Sequence, residues 1–327
     1  MTQTVLHTER FYSDNLVAGR TCEQRMDAAL LSGQGIMPSL GVVLAEDPML
    51  PGIVDGRSRS YVNRKVQHGD AIGARSTVFQ VARYAVGSTI ARLNTELDGL
   101  GEPLVHGTLL QLPLPSFPSE SQYLLDRRTR PILTLLDPSK DVDGVRPRDP
   151  EVPFNEANEF AAPTPQGIMD ILRATRVQDR VPLNPGTRVT VIGSEGFLVG
   201  RHMGPLLAKE GITPVNHDPK LYEHPISSSV LEDDMRSKIS QTDILILCVG
   251  RAGLVTPDML HNGMVVVDAG VSMVGGRLRG DLDPSIKGAS LDILYTGPTR
   301  GTGPMTVANL WGNVITSAKR YAASLQQ

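Results

Sequence analysis

A chain of 327 residues with 35 acidic and 32 basic side chains, net charge −3, offers no electrostatic case for nucleic acid or an anionic membrane surface as its partner. Forty per cent hydrophobic and 20% charged residues are ordinary for a water-soluble globular protein, and the length predicts two domains. Two cysteines, Cys22 and Cys248, supply neither a disulfide framework nor a metal site; MTQTVLHTERFYSD lacks the apolar core of a secretory signal; no apolar run reaches membrane-span length. The expectation is a reducing, cytoplasmic compartment and no metal.

The first dozen residues are polar and are expected to be loose. Apolar runs predict strands at 39–46, 77–81 and 104–110, with helices over 60–73 and 87–97. Proline, glycine and charge mark 46–57 and 115–131 as loops or insertions. A helix opens with Thr164 as N-cap and Pro165 in its first position. Strands then follow at 188–193, 212–216, 243–250, 264–270 and 290–295. Such apolar runs suit parallel strands covered on both faces, and their alternation with helices predicts a doubly wound α/β fold. Gly275-Gly276 within 271–280 reads as a hairpin turn, and 303–325 as an amphipathic helix.

Four places carry candidate chemistry. Gly193, Ser194, Glu195 and Gly196 follow the 188–193 strand, and Gly200 opens a helix, a setting in which backbone N–H groups meet a pyrophosphate. The spacing is G-x-x-G-x-x-x-G rather than G-x-G-x-x-G, so a plain strand-to-helix turn stays open. Tyr61 and Lys65, four apart, share a helix face. Gln111 ends a strand and precedes Leu-Pro-Leu-Pro. Asp143 lies in LLDPSKDVDGVRP. Taken singly, each has a bland reading as solvated lysine, loop glutamine or turn aspartate.

Their order does not. Ser58 to Lys65 (SRSYVNRK), LLQLPLP (109–115), LLDPSKDVDG (135–144), TPQGIM (164–169), VDAGVS (267–272), GDLD (280–283) and GPMTVANL (303–310) follow one another in the chain. Seven lysines occur against 25 arginines, and one falls at Lys65. In this the chain resembles the methylenetetrahydrofolate dehydrogenase/cyclohydrolase family from about Pro38 to Ala322. The resemblance implies an α/β protein of two domains. Residues 1–162, completed by a C-terminal helix at 304–327, would form the folate-binding catalytic domain. Residues 163–303 would form a Rossmann-like NAD(P) domain, with folate between the two. It implies oxidation of 5,10-methylenetetrahydrofolate by NAD or NADP, then hydrolysis of the methenyl product to 10-formyltetrahydrofolate.

By the same resemblance Lys65 is the acid–base group, Gln111 orients it or the water, Asp143 takes the pterin edge and Tyr61 stacks on a folate ring. Leu110, Leu112, Arg300, Gly301, Gly303 and Pro304 would contact folate. Gly193, Ser194, Glu195, Gly196, Asp218, Gly250, Val271 and Thr306 would contact the cofactor. A homodimer built on the nucleotide domain, touching at 271–280, is implied too. The departures are local. The glycine loop is one residue longer and lacks the family's arginine, and Arg300 replaces a glycine. Pro163 and Gln67 stand where the family has a cysteine and a second lysine. Asp218 takes the place of a serine that meets the 2′-phosphate of NADP, which favours NAD. Asp218 pointing to solvent as a loop cap, and compensation by Arg201, remain open. Three other readings stand beside this one. They are a specialised paralogue, a homologue that only binds folate or nucleotide, and an unrelated dehydrogenase needing a His–carboxylate pair, for which no histidine has a convincing setting.

Overall fold

A computed structural model gives the fold and describes residues 8–47, 52–54, 56–96, 105–115, 129–147, 157–218 and 228–326. In chain order the strands are β1 (Thr8–Arg10), β2 (Ser39–Ala45), β3 (Arg75–Val81), β4 (Gly107–Leu110), β5 (Val189–Ile192), β6 (Val215–His217), β7 (Ile244–Leu247), β8 (Val265–Asp268), β9 (Ser272–Val274), β10 (Arg277–Arg279) and β11 (Ile293–Thr296). The helices are α1 (Asp14–Gly33), α2 (Gly56–Ile72), α3 (Val86–Thr95), α4 (Pro163–Leu172), α5 (Thr175–Arg180), α6 (Gly200–Ala208), α7 (Ser228–Ile239) and α8 (Gly303–Ser324). The chain divides into two units: Met1–Ala18 with Thr164–Thr306, and Gly19–Pro163 with Val307–Gln327.

The second of these is built on a parallel sheet in the order β3–β2–β4. Every residue of β2 is buried, as a central strand covered on both faces requires. Its core joins Leu40, Val42, Leu44 and Leu109 to Trp311 and Val314 of α8. Trp311 packs so closely on Gly69 of α2 that any Cβ there would overlap the indole ring.

The other unit holds a six-stranded parallel sheet in the order β1–β11–β8–β7–β5–β6. The four-residue strands β5, β7, β8 and β11 are buried throughout, which is why they read as unbroken apolar runs. From β5 the chain goes to β6 on one side and returns to β7 on the other. That reversal is the switch point outside which doubly wound sheets bind ligands.

The structure departs from the sequence expectations in a few places. Thr8–Arg10 is not loose: it pairs with Ile293–Tyr295 of β11 and closes the sheet edge. Helix α1 is unexpected, because of its twenty residues only Gln24, Ala28 and Leu31 are buried and its apolar stripe is faint. Helix α4 starts at Pro163, so Thr164 is not its N-cap. The strand placed at 212–216 lies at 215–217, since Pro214 has no N–H for the ladder. The predicted loops give way to helix at Gly56 and over 129–133, and 48–51, 55 and 116–128 lie outside the described residues. The hairpin forms as expected, β9 against β10, with Gly275 (φ 56°) and Gly276 (φ 73°) supplying its turn.

Candidate active site

Lys65 projects from α2 one turn after Tyr61. The Trp311 indole N–H donates to the Lys65 carbonyl at 2.8 Å and fixes the helix at that turn. Lys65 is 8% exposed and Tyr61 half-buried. Gln111 follows β4 directly; its backbone N–H donates to the Val43 carbonyl at 2.9 Å. Its Nε2 donates to the Leu112 carbonyl at 2.7 Å, which turns the amide oxygen toward the lysine. Lys65 Nζ donates to that oxygen at 3.0 Å.

Asp143 sits in the turn that follows the bridge between Thr108 and Asp141. Gly144, at φ 60°, closes the turn where a Cβ would lie 2.7 Å from the Phe160 carbonyl oxygen. Asp141 ties the turn together by accepting from the Arg146 N–H at 2.7 Å. Burial pushes the Lys65 ammonium below its ordinary range, and the charge of Asp143 opposes that. Burial pushes the Asp143 carboxyl up, and the charge of Lys65 opposes that. Burial first, then the charge of Asp143, raises Asp141 to about 7 against the pull of its backbone N–H donors. The structure thus brings Lys65, Gln111 and Asp143 together in one unit. Leu112 is half-buried, whereas Leu110 is fully buried in β4 and presents core rather than a ligand surface.

In the other unit the glycine loop leaves β5 at the switch point. Gly193 has φ 93° and lies so close to β7 that a Cβ would sit 2.8 Å from the Cys248 carbonyl carbon. A Cβ at Gly200 would overlap the Gly193 carbonyl oxygen. Both glycines are needed for the loop to fold back on itself, the cradle that a dinucleotide's pyrophosphate fits. Ser194 is buried and Glu195 exposed. Asp218, immediately after β6, is 5% exposed and accepts from the Glu195 N–H at 2.9 Å. It is buried against the glycine loop rather than pointing to solvent. Arg201 lies 4.0 Å over the Phe197 ring.

Asp281 accepts from the N–H groups of Val249 (2.7 Å), Gly250 (3.2 Å) and Arg251 (2.6 Å), so the Gly250 N–H faces a carboxylate rather than open space. The Val271 carbonyl lies 3.3 Å from the Cβ position of Gly250. Thr306 Oγ1 donates to the Thr302 carbonyl at 2.9 Å and lies 3.0 Å from Thr164 Oγ1. Gly301 is buried, Gly303 and Pro304 half-buried, and the Arg300 guanidinium pairs with Asp14.

Two residues here escaped functional attention in the sequence. Asp268 accepts from the N–H groups of Gly270, Asp281 and Leu282, while Asp281 holds the 249–251 loop. The Asp268 carboxylate abuts Gly280, the residue before Asp281, and the Asp281 carboxylate abuts Gly270, two residues after Asp268; a Cβ at either glycine would overlap it. Their signal was the Asp–Gly pairing within VDAG and GDLD. A His–carboxylate pair also exists: buried His217 Nδ1 lies 3.0 Å from Asp234, itself 2.7 Å from Lys238. It joins the end of β6 to α7, in the unit that does not hold Lys65. Among the described residues no group of three or more His, Cys, Asp or Glu could hold a metal ion, and no helix is long and apolar enough to cross a membrane.

Sheet order, glycine loop and a carboxylate after the second strand define a doubly wound nucleotide-binding unit, joined to a second α/β unit with a buried lysine. The NAD(P)-binding domain family of tetrahydrofolate dehydrogenase/cyclohydrolase matches residues 162–322. The bifunctional protein FolD of Bacillus mycoides (strain KBAB4) is 34% identical over 90% of this chain and 91% of its own. Two solved structures are similar over 95% of the chain. One is the bifunctional FolD methylenetetrahydrofolate dehydrogenase/cyclohydrolase of Campylobacter jejuni (26% identical, TM-score 0.72, 99% of that chain). The other is the Trypanosoma brucei dehydrogenase-cyclohydrolase complexed with NADP and an inhibitor (25%, 0.73, 97%). The chain belongs to the tetrahydrofolate dehydrogenase/cyclohydrolase family.

Proposed function

We propose that this protein oxidises 5,10-methylenetetrahydrofolate with NAD and hydrolyses the methenyl product to 10-formyltetrahydrofolate. The observation that carries the reading is the buried Lys65 ammonium hydrogen-bonded to Gln111, with the charge of Asp143 beside it. A protein that only binds folate has no need of a desolvated lysine. The bound nicotinamide supplies the hydride acceptor; the glycine cradle and Asp218 fit such a dinucleotide. Loss of hydride leaves a cation delocalised over two nitrogens, so that step needs positioning and no general base. Asp143 accepts the paired donors of the pterin edge, and Tyr61 stacks on a folate ring. Hydrolysis needs a proton taken from water and passed on. Lys65, its proton affinity lowered by burial, does this, and Gln111 keeps its Nζ aimed.

NAD is favoured over NADP because Asp218 is buried and already holds the glycine loop through Glu195. A carboxylate there accepts from a free ribose hydroxyl, whereas a 2′-phosphate would meet like charge. The Trypanosoma brucei relative was captured with NADP, so this is where the chain is proposed to differ. The assay is absorbance of reduced nicotinamide and methenyltetrahydrofolate, separated by acidification, with each cofactor in turn. Wild type should prefer NAD, and Asp218→Ser should move the kcat/KM ratio toward NADP. A preference for NADP in wild type, or an unmoved ratio, defeats the cofactor assignment. We place the protein in the cytoplasm, with neither cysteine in a disulfide, as a homodimer joined through the β9–β10 hairpin.

A further inference from the structure

Loop 298–302 joins β11 to α8 at the carboxyl end of the six-stranded sheet, the edge where doubly wound folds bind ligands. Arg300 stands there at φ 60°, ψ 18° and is the one non-glycine residue with positive φ among those described. Side chains with a Cβ avoid that region, which glycine enters freely.

The segment Arg10–Asp14 holds the loop from one side. Arg10 Nη2 donates to the Thr299 carbonyl at 2.8 Å. The Ser13 N–H donates to the Arg300 carbonyl at 2.9 Å, and the buried Ser13 hydroxyl donates to the Gly301 carbonyl at 2.8 Å. The Arg300 guanidinium pairs with Asp14 and lies 4.6 Å over the Tyr12 ring. The segment is itself placed by β1 on β11 and by the Phe11 N–H, which donates to the Tyr295 carbonyl at 2.7 Å.

We propose that Arg10–Asp14 is a latch that positions loop 298–302 for folate binding, with Asp14 and Tyr12 holding Arg300 in the backbone conformation a glycine would adopt unaided. Arg300 is then a positioning residue and not a folate ligand. This rests on the folate reading of Gly301, Gly303 and Pro304. Asp14→Ala should raise KM for methylenetetrahydrofolate about two- to fivefold, with kcat and KM for NAD near wild type. Salt should raise the wild-type KM in the same direction, since the ion pair is exposed. In an Arg300→Gly background, Asp14→Ala should be silent and the salt effect gone. Ser13→Ala, which strands a buried carbonyl, should raise KM about five- to tenfold in either background.

An unchanged KM in Asp14→Ala, or an equal penalty with Gly at 300, overturns the latch. Tryptic cleavage after Arg300 tests it without folate. Asp14→Ala should be cut there several times faster than wild type at an unchanged Tm, and equal cutting rates overturn the proposal. Wild type inactive on folate would refute the functional reading and leave this cleavage result standing.

Discussion

Lys65 is the residue on which the two proposed activities part. Burial takes water from its ammonium, and its Nζ donates to the neutral amide oxygen of Gln111, which holds the group without fixing its charge. Lys65→Met keeps the length of the side chain and removes the proton carrier. Hydrolysis should fall ~10²–10⁴-fold while hydride transfer falls far less, so methenyl product should accumulate in the absorbance assay. Equal loss of both steps would leave Lys65 a structural residue. The sign of the pH dependence follows from the same pair. Neutral amine appears as pH rises through the lowered pKa, so the cyclohydrolase rate should climb on that limb. Asp143 favours the protonated lysine. Asp143→Asn, measured at saturating substrate, should therefore move the limb to lower pH; a move upward would separate the two residues electrostatically. These polar residues were legible in sequence because each lies at an element boundary inside a spaced motif: Lys65 a helical turn after Tyr61, Gln111 at a strand end, Asp143 in a glycine turn. The anchoring of Lys65 was not legible, since its helical turn is held by Trp311, 246 residues along the chain.

At the scale of elements, the turns after β7 and β8 depend on two carboxylates. Asp268 is raised to about 7, by burial first and then by the charge of Asp281, although three backbone N–H groups favour its ionised form. In the unfolded chain it titrates near 3.8. Between these values the folded state holds a proton that the unfolded state has released. Its contribution to stability is therefore complete below about pH 4 and lost as pH rises through 7. From pH 5 to 8 the loss should be on the order of 1–3 kcal/mol. Asp268→Asn should flatten that slope in chemical denaturation of the nucleotide-binding unit, whatever its effect on absolute stability. Asp141, raised to about 7 in the other unit, keeps its own slope and serves as the internal control. An unaltered slope in Asp268→Asn would mean that the group is ionised in the fold. The strand that carries Asp268 was readable as an apolar run. β1 was not, being three residues long and mostly polar: only the partner β11 makes Thr8–Arg10 a strand. β6 was displaced in the reading because Pro214 interrupts an apolar run that looks continuous.

For the whole molecule, neither activity explains the hairpin. Among the described residues β9 and β10 pair only with each other, and a two-stranded ribbon is marginal in water unless something covers it. Met273 and Val274 are 37% and 52% exposed on it. Gly-Gly at positive φ fixes the turn and hence the register, so Met273 and Val274, adjacent on β9, keep to opposite faces of the ribbon. A second copy of the chain, joined hairpin to hairpin about a two-fold axis, would bury the Val274 face on both partners at once and with one set of contacts. Val274→Asp would place two carboxylates in that contact. Losing a buried apolar anchor and adding like charge should weaken the dimer by about 10- to 100-fold in Kd. Sedimentation velocity across a dilution series should show dimer in wild type and monomer in the variant at the same concentration. Dimer persisting unchanged in Val274→Asp would put the contact elsewhere on the surface, and a monomeric wild type would refute the dimer itself.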